Sequence, residues 1–158
     1  MEITLEISLA AKPDEEVRSL VGELNDELGA LYPPEQRHGL ALDAIFAPHI
    51  RFLLARRDGV AVGCGGVALF PDFAEVKRMY VRPQARGQGV ADAIMSRLFA
   101  ETRDAGISIL RLETGNRSFA AISFYRRNGF RTCPAFEPYA ALPPDQVAGS
   151  VFLERVVS

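Results

Sequence analysis

At 158 residues with 48% hydrophobic content, the chain is long enough to bury one sizeable core, and a single domain over residues 1–158 is expected. A net charge of −2 argues against a nucleic-acid partner, and the most apolar stretch, Leu40 to Ala55, is interrupted by Asp43, Pro48, His49 and Arg51, which argues against a membrane span. Cys64 and Cys133 give neither a zinc pattern nor a disulfide framework and no export signal is read at the start, so a cytoplasmic protein with reduced thiols and no metal is expected.

Ile3, Leu5, Ile7 and Leu9 alternate with Thr4, Glu6 and Ser8, the period of a half-buried strand. Pro13-Asp14-Glu15-Glu16 opens a helix, with Pro fitting the first turn and the acids meeting the positive end of the dipole. Val17, Leu20, Val21, Leu24, Leu28 and Leu31 follow at helical spacing until Tyr32-Pro33-Pro34 stops them. Residues 34–49 read as a short helix and a loop. Ile50 to Arg57 and Val60 to Leu69 read as strands joined by a hairpin turn at Asp58-Gly59. Pro71-Asp72 turns into a third such run, Phe73 to Val81.

A helix from Val90 to about Ala105, ended by Gly106, carries Val90, Ile94 and Leu98 on one face. Ile107 to Glu113 reads as a buried strand that follows a strand–loop–helix unit, so parallel pairing through a right-handed crossover is expected. Ser118 is placed to cap a further helix, which Asn128-Gly129 ends, and Phe130 to Cys133 is a short strand. Pro134 to Gly149, with four prolines, reads as an extended loop. Val151 to Val157 is the last strand, and its apolar character offers an edge for a homodimer.

Between one strand and the next helix lies Arg82-Pro83-Gln84-Ala85-Arg86-Gly87-Gln88-Gly89-Val90. A Gly-rich turn opening a helix leaves several amide groups pointing one way, at the positive end of the dipole, and so makes an anion site. Residues 76–91 hold Lys77, Arg78, Arg82 and Arg86 and no acid, which implies a ligand bearing phosphates. A nucleoside-triphosphate loop needs Gly-Lys-Ser/Thr, which is missing here. A dinucleotide fingerprint fails because Asp92 stands where the third glycine belongs. The formal match at Gly63-Cys64-Gly65-Gly66-Val67-Ala68 is followed by Leu69-Phe70-Pro71, so no helix opens there. Glycines inside a strand mark bulges or close backbone contacts instead.

Gln84-x-x-Gly87-x-Gly89 resembles the coenzyme-binding loop of the GNAT superfamily, the Gcn5-related N-acetyltransferases. The segments around it fit the same resemblance. Glu75-Val76-Lys77-Arg78-Met79-Tyr80-Val81 looks like that family's fourth strand. Ala121-Ile122-Ser123-Phe124-Tyr125-Arg126-Arg127-Asn128-Gly129-Phe130 looks like its last conserved helix and the strand after it. The resemblance implies an α/β fold, a mixed and mostly antiparallel sheet of six or seven strands flanked by about four helices.

It also implies acetyl-coenzyme A as co-substrate and a small-molecule amine as partner. A protein or peptide amine, or a non-catalytic acyl-coenzyme A sensor, is the alternative. By the same resemblance the amides of Arg86, Gly87, Gln88, Gly89 and Val90 would wrap the pyrophosphate. Met79 and Val81 would pair with the pantetheine arm, and Tyr125 would be the general acid for the departing thiolate. Glu75 is the candidate base, or else an ion-pair partner of Lys77 or Arg78. The family often has Asn where this chain has Ser118, so the pantetheine contact falls to Ser118 or to Asn116. Tyr32, Arg51 and Tyr139 are candidates for the acceptor pocket, while His38 and His49 read as solvated or capping residues.

Overall fold

The computed structural model describes residues 4–158; Ile3, expected in the first strand, lies outside the described residues. The elements in chain order are β1 (Leu5–Leu9), α1 (Glu15–Leu31), β2 (Ile50–Arg57), β3 (Val60–Leu69), β4 (Ala74–Val81), α2 (Val90–Asp104), β5 (Ile109–Gly115), α3 (Phe119–Arg127), β6 (Arg131–Thr132), α4 (Pro144–Val147) and β7 (Ser150–Val156). They build one seven-stranded sheet of order β1-β2-β3-β4-β5-β7-β6. Every pairing is antiparallel except β4 with β5, the parallel pair that the crossover through α2 predicts. Asp58 and Gly59, at φ of 50° and 83°, make the left-handed hairpin turn between β2 and β3.

The sheet separates two apolar layers. On one face Val17, Leu20, Val21 and Leu24 of α1 pack on Phe52, Leu54, Cys64 and Tyr80. On the other, Val90, Ile94, Met95 and Leu98 of α2 and Tyr125 of α3 pack on Leu53, Val67, Val76, Leu112 and Leu153. The β3 glycines serve that packing. A Cβ on Gly63 would come within 2.9 Å of the Tyr80 carbonyl and 3.3 Å of Val90 and Ile94. The sheet therefore approaches α2 closely along this line, the role expected of glycines inside a strand.

Four expectations need correction. Residues 34–49 form two 3-10 turns, Pro34–Gln36 and Asp43–Phe46, rather than a short helix. The segment after β6 is not extended throughout: it contains a 3-10 turn, Tyr139–Ala141, and the single-turn α4, started by Pro144 in its first turn. β5 begins at Ile109, because the Ile107 amide is taken by the Thr102 carbonyl at the end of α2. β7 is not the outermost strand, since β5 pairs along its whole length and β6 pairs on its other side, at Leu153 and Glu154 alone.

What positions the site is a failure of pairing. β4 and β5 are in register only at Ala74–Leu110 and Glu75–Arg111. A β-bulge opposite Cys64 to Gly66 adds one residue to β4, with Arg78 in the left-handed region at φ 53°. Bulges bend the strand that carries them. β5, held along its other edge by β7, does not follow. The two strands open as a wedge.

Candidate active site

The wedge is the mouth of a cleft of about 860 Å³. Its walls are β4 from Glu75 to Val81 and β5 from Leu112 to Gly115. The Gly-rich turn and the start of α2 line one end, Gln36, His38 and Tyr139 line the other, and Tyr32 meets the start of α3. Strand, turn and both helices of the family-like region therefore meet at one place.

At the turn, Pro83–Ala85 forms a 3-10 turn, and Gly87 and Gly89 take φ of 76° and 84°, conformations that favour glycine. Gly89 is the N-cap of α2. The amides of Gly87, Gln88 and Gly89 make no hydrogen bond among the described residues, and the space where a Cβ would stand on either glycine is open. Such a cradle fits a pyrophosphate held by main-chain donors.

The basic cluster, by contrast, is not free for phosphate. Arg82 pairs with Glu23 at 3.0 Å and Arg86 with Glu27 at 3.1 Å, both acids on α1, while Arg78 donates to Asn25 of the same helix. Lys77 pairs with Glu75 at 2.9 Å. The Arg86 Nε also donates to the Val81 carbonyl at 2.9 Å, a group expected to serve the pantetheine. Within residues 76–91 the sequence shows four cations and no acid. The fold brings the acids of Arg82 and Arg86 from a helix 59 residues earlier.

Tyr125 lies at the base of the wedge, buried, with its ring edge-on to Phe124 and Phe130. Burial, then the nearby Glu113 carboxylate, holds its phenol well above the ordinary tyrosine range, so it stays protonated. Met79 also lines the cleft; its sulfur occupies the space a Cβ on Gly65 would need. Ser118 and Tyr32 share a hydrogen bond at 2.9 Å, and the Arg117 amide donates to the same Tyr32 hydroxyl at 2.8 Å. Tyr32, the last-turn stop of α1, thereby ties that helix to the start of α3. Asn116 does not line the cleft; its amide donates to the Gly149 carbonyl.

Glu75 is almost wholly enclosed, at 2% exposure, and its Oε2 receives both the Lys77 ammonium and the Tyr139 hydroxyl, the latter at 2.5 Å. Lys77 also donates to the Tyr139 oxygen at 2.8 Å, closing a triangle. The sequence reading left Glu75 as base or ion-pair partner, and the structure places it in the ion pair with Lys77.

A second carboxylate was missed. Glu113 on β5 lines the cleft, accepts from the Ser150 hydroxyl at 2.6 Å and lies close enough to Tyr125 to influence it. Burial raises its pKa, against the Ser150 hydrogen bond and the His38 and Lys77 charges. The available signal was its position at the end of a buried strand leading to the helix that carries Tyr125. His38, read as solvated or capping, instead lines the cleft, with Nε2 at 2.7 Å from the Gln146 carbonyl and its ring edge-on to Tyr139. His49 packs beside Phe70, and Arg51 donates to the Pro48 carbonyl away from the cleft.

Known proteins resemble this chain in sequence and in fold. The family model described as "Acetyltransferase (GNAT) domain" matches residues 48–132. A protein named IAA acetyltransferase from Azospirillum brasilense is 43% identical, over 88% of this chain and 89% of its own length. The uncharacterized N-acetyltransferase YsnE of Bacillus subtilis is 32% identical, over 89% and 91%. Among solved structures, the PaiA N-acetyltransferase of Thermoplasma acidophilum, in complex with coenzyme A, superimposes with a TM-score of 0.73 over 97% of this chain and 99% of its own, at 17% identity. The chain belongs to the GNAT acetyltransferase family.

Proposed function

We propose that this protein moves an acetyl group from acetyl-coenzyme A to the primary amine of a small molecule by direct attack on the thioester. One observation carries the reading: the unpaired strand wedge joins the open amide cradle at Gly87–Gly89 to the buried, protonated Tyr125 within one cleft. Acetyl-coenzyme A would supply the thioester carbonyl and the leaving thiolate. The cradle amides, with Val90 at the start of α2, would hold its diphosphate, and Met79 and Ser118, which line the cleft, would contact the pantetheine arm.

A phenol kept protonated by burial is suited to give its proton to a thiolate. An alkyl amine, with a pKa of about 10, must lose a proton before it attacks. Glu113, a cleft carboxylate made more basic by burial, is the better acceptor for that proton; Glu75 is committed to Lys77 and Tyr139 and serves to fix the acceptor end. What supports a small acceptor is the closure of that end. The segments 34–39 and 139–149 fold over it and are tied by the His38–Gln146 contact.

The test is thiol release from acetyl-coenzyme A against an amine library, with coenzyme affinity measured by calorimetry. Release with at least one small amine, alongside measurable coenzyme binding, is expected. Binding without turnover of any amine would make the protein a sensor, and no binding at all would remove the reading.

A further inference from the structure

Arg78 is a buried cation without a counter-charge among the described residues. It lies in the β4 bulge with only 8% of its surface exposed. Its basic neighbours each meet a carboxylate: Lys77 meets Glu75, Arg82 meets Glu23 and Arg86 meets Glu27. Arg78 meets the neutral side-chain oxygen of Asn25 instead, and its Nε has no hydrogen-bond partner among the described residues. Guanidinium groups withdrawn from water are normally held by an anion, because the lost hydration is otherwise uncompensated.

The surroundings make room for such an anion. Gly39 packs on one side of the guanidinium, so closely that a Cβ there would collide with it, and an anion must approach from another side. Arg78, Gly39, Arg37 and Leu28 line a side chamber of about 260 Å³, and the same four residues line the main cleft. Arg37 is exposed and has no acidic partner among the described residues. Two cations without acids among the described residues thus line one chamber whose wall is shared with the main cleft.

We propose that Arg78, assisted by Arg37, binds a carboxylate of the acceptor, so that the substrate is a small amine which also bears a carboxylate. The planar fork of a guanidinium matches two carboxylate oxygens. This rests on the acetyltransferase reading. The coenzyme's phosphates are the other anions that could seek the same charge, and the experiment separates the two.

Thiol release is measured for the wild type and for Arg78→Gln with paired acceptors, amino acids of increasing amine-to-carboxylate spacing and their carboxamides. The wild type should prefer the acid of at least one pair by tenfold or more in kcat/KM. In Arg78→Gln that preference should fall toward unity through KM, with coenzyme A affinity unchanged by calorimetry. Equal use of acid and amide by the wild type, a comparison that needs no variant, overturns the proposal. So does a preference that survives in Arg78→Gln, or a tenfold loss of coenzyme A affinity in it. Should Arg78→Gln fail to fold, Arg37→Gln on the exposed segment provides the variant, with a several-fold rise in KM for the acids alone.

A binding arm stands apart from turnover. With coenzyme A present, acetate, propionate or benzoate should raise the melting temperature of the wild type and not of Arg78→Gln. No shift in the wild type defeats the carboxylate site. A shift with no turnover of any amine would keep the site and defeat the transferase reading.

Discussion

Tyr125 and Glu113 face the same cleft with opposite assignments, and their environments separate them. Burial keeps the phenol protonated, so Tyr125→Phe should lower kcat by roughly two orders of magnitude while leaving coenzyme affinity nearly unchanged, as read by steady-state kinetics and calorimetry. Glu113 must be ionised to accept a proton, and its pKa is raised; turnover should therefore rise with pH through a limb above the ordinary glutamate range. Glu113→Gln should abolish that limb. A carboxyl whose folded-state pKa is raised binds its proton more tightly in the native state, so its contribution to stability falls as pH rises between the unfolded and folded values. Glu113→Gln should accordingly melt no lower than the wild type at neutral pH, and higher if Ser150 re-pairs with the amide. At this scale Tyr125 was legible, because it stands in a local motif with Gly129-Phe130. Tyr139 as the partner of Glu75 was not, since 64 residues separate them and the contact exists only once the loop closes.

At the scale of elements, the turn, α2 and β3 act together. Gly63 permits α2 to lie close on β3, so Gly63→Ala must push either the Tyr80 carbonyl or the Val90–Ile94 face of α2 away. A loss of about 1–3 kcal/mol is expected by thermal or urea unfolding, typical of overpacking. Coenzyme affinity should weaken with it, because the start of α2 carries the cradle. Gly89→Ala tests the cradle more directly. The added methyl meets open space, so its cost is backbone strain at φ 84°, about 1 kcal/mol. Calorimetry should show weaker coenzyme binding with little change in the remaining fold. The hairpin, the α2 crossover and the Gly-rich turn were readable as elements because each is specified by consecutive stretches of chain. The 34–49 and 134–149 segments were not. Their short turns are set by contacts with each other, such as His38 with Gln146, rather than by local periodicity.

For the whole molecule, a ligand that bridges β4, β5, α2 and α3 should stabilise all of them at once. Saturating coenzyme A at about a hundred times its dissociation constant should add roughly 2.7 kcal/mol to the unfolding free energy, read as a rise in melting temperature. A protein whose melting point does not move with coenzyme would contradict the shared-cleft arrangement. Among the described residues no helix is long and apolar enough to cross a membrane. The C-terminal strand, expected to offer a dimer edge, is paired by β5 along its length and by β6 at Leu153 and Glu154 alone on its other side.

The amino-acid order alone determined the succession of elements, the parallel crossover, the left-handed glycines of the turn and the position of Tyr125, because these depend on residues near one another in the chain. Tertiary structure decided the rest: that α1 acids neutralise Arg82 and Arg86, that Glu75 is locked by Lys77 and Tyr139, that Glu113 reaches the cleft, and that Arg78 is buried without an acid among the described residues. Charge pairing and burial are set by distance in space. A strand that bulges and parts from its neighbour brings together groups whose separation in sequence gives no hint of their contact.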